Sequence, residues 1–171
     1  MSGPPLPSTV SAPDVGQPAP DFECRDQHGN PVRLRDLRGR FVVIFFYPKD
    51  GTPVCTAQAC GFRDRFGDLA RSGATVIGVS PDSDASHAAT AGKHQLPFAL
   101  VSDADGRLAR LFGVGRWLGV LPGRATFVID PSGVIRLAYR GWWNGQRHAT
   151  EALRIMTRMQ TRDATTSAAP R

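Results

Sequence analysis

The most constraining feature of the chain is an unbroken apolar run at residues 41–47, Phe-Val-Val-Ile-Phe-Phe-Tyr. Side chains along a β-strand alternate between the two faces of a sheet, so a strand that is apolar at every position is buried on both faces. Strands of this kind are typical of the centre of a sheet that helices cover on both sides. The run therefore predicts an α/β protein built around this segment.

The segments on either side alternate between strand and helix patterns. The predicted strands cover residues 22–25, 32–34, 74–80, 97–101, 125–130 and 134–140, and the predicted helices cover residues 53–71, 83–94, 105–112 and 147–161. Turn residues at 26–30 and 131–133 predict two β-hairpins. This order of elements predicts a thioredoxin-like three-layer α/β fold, with a mixed central sheet and an N-terminal β-hairpin.

Length and composition fit a single globular domain. The chain has 171 residues, of which 41% are hydrophobic and 21% charged, enough for one sizeable core. We expect the folded domain to cover residues 18–162. Residues 1–17 are rich in proline, and residues 163–171 are small and polar, so both ends are expected to be disordered.

Charge and apolar patterning exclude several classes of function. The net charge is +6, but the arginines are scattered and interleaved with acidic residues, and no nucleic-acid-reading element is visible. The one basic helix face is interpreted as a solvated surface; it consists of Arg147, Arg154, Arg158 and Arg162. No run approaches the length of a membrane span. We therefore expect neither a nucleic-acid partner nor a membrane partner.

The cysteine count and the start of the chain favour a cytoplasmic location. Three cysteines are too few for a secreted disulfide framework, and residues 1–20 lack the apolar stretch of a signal peptide. The histidines are far apart in sequence and are interpreted as surface or turn residues rather than metal ligands; they are His28, His87, His94 and His148. No cofactor is expected.

Two of the cysteines, Cys55 and Cys60, lie just after the apolar run, at the start of a predicted helix. Five residues along a helix separate two α-carbons by roughly 8 to 9 Å, whereas a disulfide requires less than about 7 Å. If the two cysteines pair, the helix must partly unwind each time. The spacing alone leaves two interpretations open, a working redox pair or two ordinary buried helix cysteines.

The predicted helix places Cys55 where a thiolate is stabilised. Cys55, Ala59, Phe62 and Phe66 share one apolar stripe, so Cys55 is expected to face the core from the first turn. Unpaired amides and the positive end of the helix dipole favour a negative sulfur there. Cys60 lies off this stripe, and the neighbouring Gly61 would ease local unwinding.

The cysteine segment resembles the active-site segment of the peroxiredoxins, specifically the peroxiredoxin Q or bacterioferritin comigratory protein subfamily. The similarity covers residues 46–60, Phe-Tyr-Pro-Lys-Asp-Gly-Thr-Pro-Val-Cys-Thr-Ala-Gln-Ala-Cys, and continues at residues 18–22, 96–103 and 121–130. Four ordered blocks are far more specific than a lone cysteine pair.

This resemblance implies a thiol-dependent peroxidase. Cys55 would attack hydrogen peroxide or an organic hydroperoxide and become a sulfenic acid, and Cys60 would condense with it to an intramolecular disulfide. Thioredoxin or a similar dithiol would then reduce that disulfide. The subfamily is often monomeric, which makes a monomer the expected state.

The resemblance also assigns three supporting residues. Thr52 would supply a hydroxyl as well as an N-cap, and Arg124 a permanent cation beside Cys55. Pro48 would shield the thiolate from bulk water. Gln58 is a candidate for orienting the arginine, and no role is expected for Cys24.

Other functions remain open at this stage. A thioredoxin-fold binding or chaperone-like module would not consume peroxide, and a disulfide reductase is expected to carry C-x-x-C rather than the C-x4-C found here. Trp142 and Trp143 follow the last predicted strand. We interpret them as packing around the second hairpin, with a docking surface as the alternative.

Overall fold

The computed structural model describes residues 12–117, 119 and 121–167. In chain order the strands are β1 (Glu23–Arg25), β2 (Pro31–Arg33), β3 (Phe41–Phe46), β4 (Ala74–Ser80), β5 (Ala99–Ser102), β6 (Arg116–Trp117), β7 (Leu121–Pro122), β8 (Ala125–Ile129) and β9 (Ile135–Arg140). The helices are α1 (Pro53–Asp64), α2 (Phe66–Arg71), α3 (Asp84–His94), α4 (Arg107–Leu111) and α5 (Gly145–Ser167), and a 3-10 helix covers Leu34–Leu37.

The centre of the fold is a five-stranded mixed sheet with the order β5-β4-β3-β8-β9. β3 runs parallel to β4 and antiparallel to β8, and all six of its residues are buried. The prediction of a central strand in the apolar run is therefore confirmed. Because Phe46 pairs with Ala125, the carboxyl end of β3 lies beside the start of β8.

Each face of the sheet carries its own apolar core, and the alternation of β3 explains this. Val42 and Ile44 belong to one core, which α4, the 3-10 helix and Phe22 complete. Val43 and Phe45 belong to the other core, together with residues of α1, α3 and α5. Helices and loops thus cover both faces, which confirms the predicted three-layer fold.

Both predicted hairpins are present. β1 pairs antiparallel with β2 around a turn in which Asp26 accepts hydrogen bonds from the amides of His28 and Asn30. β8 pairs antiparallel with β9, and the Asp130 carboxylate accepts hydrogen bonds from the amides of Ser132 and Val134. In each turn, an aspartate carboxylate accepts hydrogen bonds from backbone amides of the turn.

Several boundaries differ from those predicted. The helix expected over residues 53–71 is two helices, because the backbone of Arg65 (φ −101°, ψ 4°) leaves helical geometry. The last helix is longer than expected and includes residues 163–167, where the hydroxyls of Thr165 and Thr166 donate to carbonyls four residues earlier. The tail predicted to be disordered is thus helical to Ser167, and residues 168–171 lie outside the described residues.

Part of the expected leader contacts the domain. The Gly16 amide donates to the carbonyl of Ile135 on β9 at 2.8 Å, and residues 1–11 lie outside the described residues. No helix in the described part of the chain has the length and apolar character that a membrane crossing requires.

Candidate active site

Cys55 lies in the first turn of α1, beyond the carboxyl end of β3. Its side chain is on the buried side of the helix and is only 4% exposed, and Ala59 and Phe62 continue the same buried face. The predicted core-facing stripe is therefore confirmed for Cys55, Ala59 and Phe62, whereas Phe66 is half-buried and belongs to α2. Pro53 has no N–H, so the amides of Val54 and Cys55 are the first-turn donors that lack an acceptor within the helix.

Arg124 reaches this sulfur from the neighbouring strand. It directly precedes β8, whose pairing with β3 brings it to the loop that carries Cys55. The arginine is 6% exposed, and its Nη2 donates to Cys55 Sγ at 3.3 Å. A guanidinium at this distance stabilises negative charge on the sulfur, and sulfur in the thiolate form is the nucleophile.

The other two guanidinium nitrogens of Arg124 are also held. Nη1 donates to Oε1 of the fully buried Gln58, and Nε donates to the carbonyl oxygen of Trp142 at 3.2 Å. A planar guanidinium bound on three sides has one orientation. The structure thus brings Gln58 into contact with the arginine, as the sequence suggested.

Thr52 and Pro48 lie at the rim of the same site. Thr52 occupies the N-cap position of α1, with Pro53 at the first turn, but its side chain makes no capping bond. Its hydroxyl instead donates to the carbonyl of Lys49 at 3.1 Å. The position predicted for the cap is right, whereas the expected capping hydrogen bond is absent because the hydroxyl closes the preceding turn.

A cavity of about 490 Å³ opens over Cys55. Its walls are largely apolar and are formed by Pro48, Lys49, Thr52, Pro53, Val54, Cys55, Arg124, Trp142 and Trp143. The two tryptophans are 42% and 87% exposed. They line the cavity mouth, a position that neither sequence interpretation of this pair anticipated.

Cys60 is on the same helix but outside this cavity. It is half-buried, and α1 continues unbroken past it to Asp64. Both thiols are free. This arrangement agrees with the helical separation expected from the sequence, in which the two sulfurs cannot bond while the helix is intact.

Cys24 has a different environment. It is half-buried beside the first core, and its Sγ donates to the Val32 carbonyl at 3.6 Å. Burial raises the pKa of the Cys24 thiol to about 11, so it stays protonated at neutral pH. No cation corresponding to Arg124 donates to this sulfur in the described structure.

The prediction that all four histidines lie at the surface or in turns is wrong for two of them. His87 and His148 are fully buried. His87 contacts Asp50 at 2.8 Å, and His148 contacts Thr126 Oγ1 at 2.8 Å and the Gly141 carbonyl at 2.9 Å. Each histidine is followed, four residues later, by a buried alanine on the same helix face. This spacing is visible in the sequence and is typical of a buried helix face.

Residues that could hold a metal do not cluster in the described ranges. Among residues 12–117, 119 and 121–167, no three His, Cys, Asp or Glu side chains come close enough to coordinate an ion.

Comparison with known proteins places this site in a family. The model of the AhpC/TSA family matches residues 15–138. The chain belongs to the AhpC/TSA family. The sequence predicts a resemblance to the peroxiredoxin Q branch. Similar proteins that carry this name confirm it.

The chain is 46% identical over 142 residues to chloroplastic peroxiredoxin Q of Arabidopsis thaliana, covering 82% of this chain and 66% of that protein. It is 44% identical to chloroplastic peroxiredoxin Q of Sedum lineare, covering 82% of this chain and 76% of that protein.

Solved structures give the same result. Peroxidoxin BcpB of Mycobacterium tuberculosis has a TM-score of 0.80 and 37% identity, over 86% of this chain and 98% of that one. The bacterioferritin comigratory protein of Xanthomonas campestris, studied for its alkyl peroxide reduction activity, has a TM-score of 0.77 and 33% identity, over 85% of this chain and 99% of that one. The thioredoxin-like fold of this AhpC/TSA protein is thus shared with solved relatives.

Proposed function

We propose that this chain is a thiol-dependent peroxidase that reduces hydrogen peroxide and organic hydroperoxides. The observation that carries the proposal is the contact between the Arg124 guanidinium and Cys55 Sγ in a cavity at the start of α1. In this scheme Cys55 is the nucleophile, Cys60 resolves the oxidised sulfur, and Arg124, Thr52 and Pro48 form the surroundings of the reaction.

In the first step, the Cys55 thiolate attacks the terminal oxygen of the peroxide. An S–O bond forms, the O–O bond breaks, and the departing oxygen takes a proton and leaves as water or an alcohol. Negative charge moves from sulfur to the departing oxygen, so fixed donors on both sides lower the barrier. Arg124 and the first-turn amides are such donors, and the Thr52 hydroxyl lies at the same cavity.

In the second step, the Cys60 thiol attacks the sulfenic acid of Cys55. An S–S bond forms, the S–O bond breaks, and the oxygen leaves as water. Because the two α-carbons of an intact helix are too far apart, the first turns of α1 must unwind before this step. A thioredoxin-like dithiol then reduces the disulfide by thiol exchange.

The apolar cavity supports organic hydroperoxides as substrates in addition to hydrogen peroxide. Hydrogen peroxide needs no apolar wall, whereas an alkyl or aryl substituent is stabilised against Val54, Trp142 and Trp143. The Xanthomonas campestris relative is described by its alkyl peroxide reduction activity, which supports the same assignment here.

The expected cellular setting also remains a proposal. We place the chain in the cytoplasm as a monomer, served by a thioredoxin-like reductant. Its plant relatives are named as chloroplastic.

Peroxide consumption coupled to a thioredoxin system tests the proposal. We expect Cys55→Ser to abolish turnover with both hydrogen peroxide and an organic hydroperoxide. Cys60→Ser should allow one oxidation per chain, with turnover restored by an added small thiol. Cys24→Ser is the matched control and should keep normal turnover, and unchanged activity in Cys55→Ser would reject the assignment.

A further inference from the structure

A buried polar network lies behind the loop that leads into α1. Asp50 is in this loop, five residues before Cys55, and its side chain is 5% exposed. The carboxylate accepts hydrogen bonds from Tyr47 Oη at 2.7 Å and Ser86 Oγ at 2.8 Å, and Oδ2 lies 2.8 Å from Nδ1 of the fully buried His87. Three donors therefore converge on one carboxylate beside the proposed nucleophile.

Each ring nitrogen of His87 contacts an oxygen atom. Nε2 lies 3.2 Å from the carbonyl oxygen of Val101, which can only accept, so Nε2 carries a proton. Burial opposes ionisation of Asp50, but hydrogen bonds from His87, Tyr47 and Ser86 outweigh it and hold the pKa of this carboxyl below its ordinary value. Nδ1 lies against the Asp50 carboxylate, so the two side chains form a buried pair in direct contact.

The pair joins the loop to two other parts of the fold. His87 belongs to α3, while the backbone amide of Asp50 donates to Asp82 Oδ2 at 2.7 Å, and Ser80 at the end of β4 donates to the same oxygen at 2.7 Å. Asp50 is thus fixed through both its side chain and its backbone. Only Gly51 separates it from Thr52, the N-cap residue of α1.

We propose that Asp50 and His87 are positioning residues whose buried contact holds the first turns of α1 in the helical state and so restrains disulfide formation between Cys55 and Cys60. This inference rests on the proposed function. In the helical state Cys55 contacts Arg124 and meets peroxide, whereas in the unwound state it meets Cys60. A pair that stabilises only the helical state lowers the population from which the disulfide forms.

Removal of one partner should act strongly because the other is left as an unpaired buried charge. His87→Gln keeps a side chain of similar size but removes the imidazole nitrogen that contacts Asp50. We expect the population of the unwound segment to rise about tenfold or more. Disulfide formation draws on that population, so its first-order rate constant should rise by a similar factor. Oxidation of Cys55 occurs in the helical state, which remains the major one, so its rate constant should change much less.

Two measurements test this directly. Amide hydrogen exchange over residues 53–60 of the reduced protein reports the unwinding without any peroxide, and protection there should fall in His87→Gln. Stopped-flow fluorescence after one equivalent of peroxide separates oxidation from disulfide formation, and only the second step should accelerate. Misfolded protein lowers the amplitude of both steps without changing the first-order rate constant of the folded fraction.

Control variants complete the design. Asp68→Asn, which breaks the exposed ion pair with Arg71, should leave exchange and both rates unchanged. Ser86→Ala removes one neutral hydrogen bond from Asp50 and should produce the same changes on a smaller scale. This variant tests the proposal if His87→Gln does not fold. The double variant Asp50→Asn/His87→Gln should be closer to wild type than the sum of the single changes, since the two residues act as a pair.

Unchanged exchange at residues 53–60 in both His87→Gln and Ser86→Ala, or a disulfide step that is unchanged or slower, would overturn the proposal. Persistent turnover in Cys55→Ser would instead contradict the proposed function, and the exchange result on reduced protein would still report whether the pair holds the helix.

Discussion

At the scale of single residues, Arg124 combines three tasks through one rigid group. Its Nη2 contacts the nucleophile, its Nη1 contacts Gln58, and its Nε contacts the backbone of Trp142 at the cavity. These contacts need donors that diverge in one plane, which a guanidinium has and an ammonium lacks. The residue therefore contributes geometry in addition to charge.

Arg124→Lys separates these contributions. The substitution keeps a positive charge but cannot hold all three acceptors, so the second-order rate constant for Cys55 oxidation should fall about a hundredfold. Stopped-flow measurement with hydrogen peroxide gives this constant directly. Arg154→Lys on the exposed side of α5 is the matched control and should behave as wild type. A loss smaller than about threefold in Arg124→Lys would mean that charge alone suffices.

The residues of the site differ in how far the sequence could predict them. Cys55 was located by local periodicity and the helix start, because both signals lie within one helix. Arg124 was placed only by the resemblance, since its contact with Cys55 depends on how β8 pairs with β3. The sequence does not predict the burial of His87, because its partner Asp50 lies on another element, although Ala91 marks its helix face.

At the scale of elements, glycines at the crossing of α1 and α5 allow these two helices to pack closely. A β-carbon on Gly145 would lie 2.5 Å from the Val54 carbonyl oxygen and 2.7 Å from the Gln58 amide nitrogen. A β-carbon on Gly61 would lie 3.2 Å from the α-carbon of Gln146. The sequence interpretation of Gly61 as a weak point for unwinding therefore gains a second explanation, since this glycine also permits close packing of the two helices.

Gly145→Ala should disturb the active site through this crossing. The new methyl group meets backbone atoms that cannot rotate away, so α5 must shift from the first turns of α1, at a cost of about 1 to 3 kcal/mol. Urea unfolding should show the loss, and the rate constant for Cys55 oxidation should fall as well.

Gly67→Ala provides the matched control in this region. Its β-carbon would meet only the end of the Arg71 side chain, at 3.8 Å, and alanine in α2 should stabilise the helix by up to about 1 kcal/mol. If Gly145→Ala proves as stable and active as wild type, the close crossing is not required.

The order of the elements is predictable where the sequence patterns are long. The residues at which the elements begin and end are not. The apolar run of β3 and the hairpin turns carry strong local signals, and both were found. The sequence does not predict the break at Arg65, because the apolar pattern continues through Phe62 and Phe66. β6 and β7 were also missed, since two-residue strands have no periodicity to detect.

At the scale of the whole molecule, stability is linked to pH through buried titratable groups that hold elements together. His148 lies on α5, and its Nε2 donates to the Gly141 carbonyl while Nδ1 accepts from the Thr126 hydroxyl of β8. Burial, reinforced by the positive charge of Arg124, lowers the pKa of His148 to about 4. The folded protein thus keeps this imidazole neutral at a pH where the unfolded chain would charge it.

The direction of the resulting pH dependence follows from proton binding. Between about pH 6.5, where an unfolded histidine titrates, and about pH 4, the unfolded state binds more protons, so stability falls as the pH is lowered. The full effect of His148 amounts to about 3 kcal/mol at most. Asp130 and Asp50 extend the loss to lower pH, because hydrogen bonds outweigh their burial and hold both carboxyl pKa values below the ordinary value.

His148→Gln should therefore flatten the stability profile between pH 6.5 and 4. The variant loses stability at pH 7, because glutamine cannot satisfy both partners in the same geometry, but its free energy of unfolding should change less with pH than that of wild type. Urea unfolding at half-unit pH steps measures both slopes. His28→Gln, at an exposed turn, should keep the wild-type slope. Parallel profiles for wild type and His148→Gln would show that this histidine is not kept neutral by the fold, and the acid loss would then have to come from the carboxylates alone.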